Sequence, residues 1–401
     1  MPADDDLLTA VLLGAAPGQR AKELWPLRAG ADLGSTRVEI RSNCGAAIDY
    51  LRRLFTPGNE LWSAADQCRR PPTLTVRCYV TCAERTAGLV EHVATLHRRR
   101  PRRPTRMHVD APTAWLDLSE RHSVLVIGGT GQRIAPQLVS VRDWSLITII
   151  CCDTADAVLN LARHVREIGY RLAENDGWIC LHASAADRSG HTVAVVGDSG
   201  AGKTTMALAL AGRPDWRFVG NDRLMVRLDP HDGSLRAVAL PCPVRLNAGT
   251  LRGLAIDNAH EWELTRPKPG PDSDWSRFRG AAKLNILPCE WQQSTGTELT
   301  AGGQLAAVLL PAPDLGGDGV RIAAHQDPTA SIAAQCMSPD DPVYVADWLG
   351  RRTIPSQRIR ANARQVVAAM AALPAFSVQF GTALPLGTVA DKVAAAIEAA
   401  W

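Results

Sequence analysis

The chain has 401 residues, a length that favours two domains over one. Hydrophobic residues make up 46% and charged residues 21%, a balance that excludes a disordered chain and can fill buried cores. A formal net charge of +3 argues against nucleic acid as the main partner.

The best apolar run, residues 146–152, falls far short of the ~20 residues a membrane helix needs. The first residues, MPADDDLLTA, are acidic and lack the basic-then-apolar order of a signal peptide. The expectation is a cytoplasmic protein without membrane contact. Ten cysteines are spread along the chain, and no second pair complements Cys78 and Cys82. They read as free thiols rather than zinc ligands or disulfides.

Residues 1–152 read as an N-terminal α+β domain of unassigned role. Residues 38–40, 74–80 and 123–127 are strand-like, and 44–55 and 84–97 are helix-like. The basic, proline-broken run at 97–104 reads as a solvated loop, since no aromatic residues interleave it. Gly128-Gly129-Thr130-Gly131 lacks the spacing of a dinucleotide loop and reads as a turn.

A second domain is expected over 153–401. It opens with an amphipathic helix at 153–172, where Val158, Leu161, Val165, Ile168 and Leu172 recur every three or four residues. Asp153 or Thr154 can cap it. Residues 178–186 read as one strand, and 192–196 as a buried strand.

Gly197-Asp198-Ser199-Gly200-Ala201-Gly202-Lys203-Thr204 then fits the phosphate-loop pattern, with a strand before it and helix formers after it. Its glycines let successive N–H groups ring a phosphate, and the following helix turns its positive end to the same anion. Lys203 can reach the β- and γ-oxygens as a point charge. Thr204 offers a hydroxyl to Mg²⁺. Gly197 through Thr205 are therefore the expected nucleotide-binding residues.

A strand at 217–219 ends in Gly220-Asn221-Asp222-Arg223. Asp222 is placed to hold Mg²⁺ together with Thr204. His182, at the end of an apolar strand, is a candidate to orient or deprotonate an acceptor. Arg223 and Arg245 are candidate phosphate clamps, and Lys283 is a further cation. Residues 224–228 and 235–240 read as a hairpin. Residues 257–303 are polar and weakly patterned, as in a lid, a binding loop or a disordered stretch. Strands follow at 304–310, 320–324 and 376–380, with helices near 361–372 and 387–400.

The order LHASA (181–185), GDSGAGKTT (197–205), ALALAG (207–212) and FVGNDR (218–223) resembles the bacterial HPr kinase/phosphorylase superfamily. That family shares its core with ATP-dependent phosphoenolpyruvate carboxykinases. The resemblance covers roughly residues 170–250 and implies an α/β, mixed-sheet P-loop kinase core using ATP and Mg²⁺. Carried over residue by residue, it matches His182, Gly197–Thr204 and Asp222; together with the clamp candidate Arg245, His182, Lys203 and Asp222 are the expected catalytic set, with Thr204 and Asp222 at the metal.

The chain departs from that family at several points. Asn221 stands where the family has the first of two aspartates, the one expected to act as general base, and Thr205 stands where the carrier-protein kinases have glutamate. Their glycine-rich signature is replaced by Leu240-Pro-Cys-Pro-Val-Arg245-Leu-Asn-Ala-Gly249-Thr. The N-terminal half does not look like their regulatory domain. The expected activity is transfer of the γ-phosphate of a nucleoside triphosphate to a hydroxyl, on a Ser or Thr of a peptide or small protein. A small-molecule kinase in a biosynthetic pathway is the first alternative. The second is a nucleotide-binding switch or scaffold without transfer, which Asn221 favours. The sequence leaves homo-oligomerisation open.

Overall fold

The computed structural model describes residues 27–33, 36–55, 63–64, 73–99, 113–127, 137–143, 145–264, 283–340 and 349–401. The chain forms two compact units. One centres on Leu61–Ala173, with Met1–Phe55 and Asp340–Thr353. The other centres on Glu174–Pro339 and Ile354–Trp401.

The first unit is built on an eight-stranded mixed sheet. Its strands are β1 (Leu27–Leu33), β2 (Thr36–Ser42), β3 (Ser63–Ala64), β4 (Leu74–Val80), β5 (Thr113–Ser119), β6 (His122–Ile127), β7 (Gln137–Arg142) and β8 (Leu146–Cys151). The order across the sheet is β3-β1-β2-β4-β8-β7-β6-β5. The run that looked most apolar in the sequence is β8, which lies between β4 and β7 and is buried along almost its whole length. A strand covered on both faces reads as a continuous apolar run rather than an alternation. Helix α1 (Gly45–Leu54) buries Ile48, Leu51 and Leu54. Helix α2 (Ala83–Arg99) packs Leu89 and Val93 against Val124, Val126, Leu138 and Ile150. Most of the basic run at 97–104, and the glycine cluster at 128–131, lie outside the described residues.

Helix α3 (Thr154–Asn175) differs from expectation in two ways. The compact units divide at Ala173 rather than at 153. The start of the helix is tied to the end of β8: Asn160 Nδ2 donates to Cys151 Sγ at 3.8 Å, and the Asp156 N–H donates to Asp153 Oδ1 at 2.7 Å. The helix is also not simply amphipathic. His164, Glu167 and Arg171 are buried with the apolar stripe, and Arg171 Nε donates to Glu167 Oε1 at 2.7 Å. A buried charge has to be paired in this way.

The second unit carries a nine-stranded mixed sheet. Seven strands follow the order β12-β10-β11-β17-β14-β13-β9, and β19 pairs with both β17 and β18. They are β9 (Ile179–Leu181), β10 (Ser184–Arg188), β11 (His191–Val195), β12 (Trp216–Gly220), β13 (Leu224–Leu228), β14 (Leu235–Ala239), β17 (Gly302–Asp314), β18 (Val320–Ala324) and β19 (Ala375–Gly381). A two-stranded ribbon of β15 (Val244–Leu246) and β16 (Leu284–Ile286) stands beside them.

The sheet is covered on both faces. On one, Val193, Val195 and Leu309 pack with helix α4 (Lys203–Ala211) and helix α9 (Leu386–Glu398). On the other, Ala194, Val196 and Val308 pack with helix α7 (Thr329–Ala334) and helix α8 (Ser356–Ala371). Consecutive residues of β11 thus feed opposite layers. Helix α4 is buried from Met206 to Ala211, which is why its sequence shows no polar face.

The single strand expected at 178–186 is two strands, β9 and β10. Only His182 and Ala183 join them, yet β9 and β10 lie near opposite ends of the strand order. Three backbone steps span about 11 Å, whereas strands lie ~4.8 Å apart, so the sheet must curl to bring these ends together. His182 sits at that junction.

Part of the stretch read as unpatterned is ordered. It holds a short 3₁₀ turn at Ala259–Glu261, strand β16, and helix α6 (Pro288–Thr295), and Leu299 bridges to Phe218. Trp262 and Trp291 meet edge to face at 5.8 Å. Elements this short leave no periodic signal. Residues 265–282 lie outside the described residues. Among the described residues, the cysteines are free and no helix is long and apolar enough to cross a membrane.

Candidate functional site

The glycine loop leaves β11 and enters α4. Gly200 and Gly202 take φ of +87° and +89°. Such left-handed conformations cost an L-residue about 1–2 kcal/mol, so glycine is the residue that fits both positions. Gly202 is the N-cap of α4, and a Cβ there would meet Phe380 Cζ at 3.4 Å. Lys203 begins the helix and is nearly buried. Its Nζ donates to Gly197 O at 2.7 Å and to Asp198 O at 3.0 Å. Burial pulls its pKa below the usual lysine range; Asp222 and Asp198 oppose that shift, and Lys283 adds to it.

A cleft of about 680 Å³ opens over this loop. Ser199, Gly200, Gly202, Lys203, Thr204 and Thr205 line it. His182, Asp222 and Arg245 line it too, so the expected catalytic residues converge on one space. Gly197, Asp198 and Ala201 belong to the loop but do not line the cleft. The opposite wall brings Asn247, Thr250 and Arg252 from around helix α5 (Ala248–Gly253), with Lys283. An apolar stretch of Pro313, Leu315, Phe380 and Leu384 completes the lining.

Asp222 follows β12 in a left-handed conformation, φ 69°. Its Oδ1 lies 3.4 Å from His182 Nε2. A carboxylate at Nε2 favours the tautomer with hydrogen there and leaves the Nδ1 lone pair open. Thr204 Oγ1 stands 3.5 Å from Ser184 Oγ. A hydroxyl and a carboxylate facing one cleft are the hard oxygen donors that suit Mg²⁺, so Thr204 and Asp222 fit such an ion.

Several side chains take other roles than the sequence suggested. Arg223 is not among the residues that line the cleft; its Nη1 donates to Asp222 O at 3.0 Å and to Asp222 Oδ2 at 3.4 Å. It braces Asp222. The Thr205 hydroxyl bonds Thr250 Oγ1 at 2.7 Å, and Thr250 Oγ1 donates to Asn247 Oδ1 at 3.1 Å. Thr205 therefore ties the loop to the opposite wall, and Thr250 and Asn247 had no signal in the sequence. Gln335 was missed as well. Its Nε2 donates to Asp198 Oδ1 at 3.1 Å, and its carbonyl accepts from His182 N at 2.8 Å. It fixes the loop and the histidine from a point far along the chain.

Asn221 is 2% exposed. Its Nδ2 donates to Pro243 O at 3.2 Å, and its Oδ1 is buried without a hydrogen-bond partner among the described residues. An aspartate here would set a carboxylate against that carbonyl. The amide is thus specified by its surroundings.

No family model matches the chain, and no curated protein matches it. Among solved structures it is similar to the Hpr(Ser) kinase/phosphatase from Coxiella burnetii. The similarity spans 55% of this chain and 98% of that one, at 12% identity and a TM-score of 0.23. A likeness at that level carries no argument about this chain. What stands by itself is a mixed α/β fold with a cationic cleft over a glycine loop.

Proposed function

We propose that the second unit is an ATP/Mg²⁺-dependent phosphotransferase with a P-loop kinase core, acting on a hydroxyl of a Ser or Thr in a peptide or small protein. The observation that carries this reading is the convergence of Lys203, Thr204, Asp222 and His182 on one cleft, beneath the N-terminus of α4. The motifs shared with the HPr kinase/phosphorylase superfamily support the same core.

In this reading Lys203 and the loop N–H groups bind the β- and γ-phosphates. Thr204 and Asp222 hold Mg²⁺, which when bound neutralises phosphate charge. The apolar stretch with Phe380 receives the nucleoside base. The acceptor oxygen bonds to the γ-phosphorus while the bond to the leaving diphosphate oxygen breaks. His182 Nδ1 takes the acceptor's proton, and Asp222 holds the ring through Nε2.

The test is ATP turnover with and without Ser- or Thr-containing peptides, in wild type and in Asp222→Asn. Transfer that depends on the peptide and falls by orders of magnitude in the variant is expected. Transfer at wild-type rates in Asp222→Asn would return that residue to a structural turn. A second reading, a nucleotide switch without transfer, is favoured by Asn221, whose side chain cannot take a proton. Nucleotide binding without turnover on any acceptor would select it.

A further inference from the structure

Three cations of the cleft, Arg245, Lys283 and the exposed Arg252, are left over when the nucleotide has been provided for. Arg245 on β15 and Lys283, just before β16, stand on one ribbon in which Leu246 pairs with Leu284 and Arg245 with Asn285. Both line the cleft that holds Lys203 and Asp222. Among the described residues neither forms an ion pair. Burial lowers the pKa of Lys283, the neighbouring guanidinium of Arg245 lowers it further, and Asp222 partly restores it.

Lys203 feels Lys283, and Lys283 feels Arg245. Arg252 lines the same wall. Like charges held together and partly out of water are costly unless an anion joins them. The triphosphate is served at the other wall by Lys203, the loop N–H groups and the Mg²⁺ ligands.

We infer that Arg245 and Lys283 form a subsite for the acceptor: they hold a carboxylate carried next to the hydroxyl that receives the phosphate. This rests on the nucleotide reading of the loop and adds the acceptor's chemistry to it. Carboxylates flanking the Ser or Thr of an acidic peptide, or the carboxylate of a small hydroxy acid, supply the same group.

The experiment uses the full chain loaded with a non-hydrolysable ATP analogue and Mg²⁺. A fluorescent Glu-Glu-Ser-Glu-Glu peptide and its Ala-Ala-Ser-Ala-Ala counterpart are titrated by anisotropy, and glycerate by calorimetry. The acidic peptide, or glycerate, should bind about tenfold or more tightly than the alanine peptide, through charge contacts that weaken with salt. An Arg245→Gln/Lys283→Gln double variant should erase that preference. Its apo melting temperature and its ATP-induced shift report that the fold and the loop are intact. In a second variant, Lys283→Glu, the preference should move toward a Lys-Lys-Ser-Lys-Lys peptide. The inference is overturned if no carboxylate-bearing probe outbinds the alanine peptide. It is equally overturned if the double variant keeps the preference, or loses only the ATP-induced shift. Failure of the nucleotide reading shows separately, as no ATP-induced shift in wild type.

Discussion

One wall of the cleft comes from the consecutive residues 197–205, and the other is assembled from Arg245, Asn247, Thr250, Arg252 and Lys283. The loop wall is shaped mainly by local forces, with Gln335 as a distant anchor at Asp198. Left-handed glycines, a helix N-terminus and a lysine bonded to its own loop's carbonyls fix its shape. The ribbon wall is held by a strand pairing between segments far apart in the chain, beside a helix with its own local cap. The two meet through the Thr205–Thr250–Asn247 hydroxyl chain. The difference teaches a division of labour. A rigid, locally encoded wall suits a ligand common to many enzymes, and a wall built from distant pieces can change with the acceptor.

His182 and Asp222 stand between the walls, and the largest effect is expected there. His182→Gln should lower kcat by about 10²–10⁴ while leaving the ATP-induced rise in melting temperature intact. Loss of that rise would place His182 on the donor side and break the comparison.

Lys203→Ala should weaken ATP binding about a hundredfold, since it removes a charge-assisted contact to phosphate in a partly desolvated site. Calorimetric titration measures it, and acidic-peptide affinity should hardly change. The pH dependence sharpens this. Burial holds the folded pKa of Lys203 below the ordinary 10.5. Between that lowered value and 10.5 the folded chain binds fewer protons than the unfolded one. The stability of the ligand-free protein therefore rises with pH through this window, and the rise is absent in Lys203→Ala. ATP affinity should fall over the same window as the ammonium is lost. An affinity that stays flat there means Lys203 does not contact the phosphates.

Asn221→Asp replaces the donor facing Pro243 O by an acceptor in a buried place. A loss of about 1–3 kcal/mol in denaturant unfolding is expected. Unchanged stability would mean that the new carboxylate turns into the cleft, where it would serve the chemistry.

The smallest effect is at the link. Asn247 Oδ1 accepts from Thr250 N at 2.8 Å and caps α5. Asn247→Ala should cost about 1 kcal/mol of stability. It should also weaken ATP and acidic-peptide binding together, each by a small factor. A change confined to one ligand would show that the hydroxyl chain does not couple the walls.

The hairpin at 224–228 and 235–239 and the strand that leads into the loop were legible, because alternation and turn residues act within a few positions. The break at His182 was not. Residues 178–186 are apolar apart from His182 and Ser184 and hold no glycine or proline, and only strand order shows that the chain must turn there between strands near opposite ends of the sheet. Helix α3 showed its apolar stripe but hid its buried Glu167–Arg171 pair, since a charged residue looks solvent-exposed until its partner and burial are known.

By itself the sequence determined the loop wall: the glycines, the lysine and the hydroxyl act at fixed short spacing, where covalent geometry sets what they can reach. It also supplied His182, Asp222 and Arg245 as candidates, though not their neighbours. Tertiary structure alone decided that Gln335 anchors the loop and the histidine, and that Lys283 stands on the same ribbon as Arg245. These contacts join residues brought together by strand pairing and burial, and no local spacing in the chain encodes them.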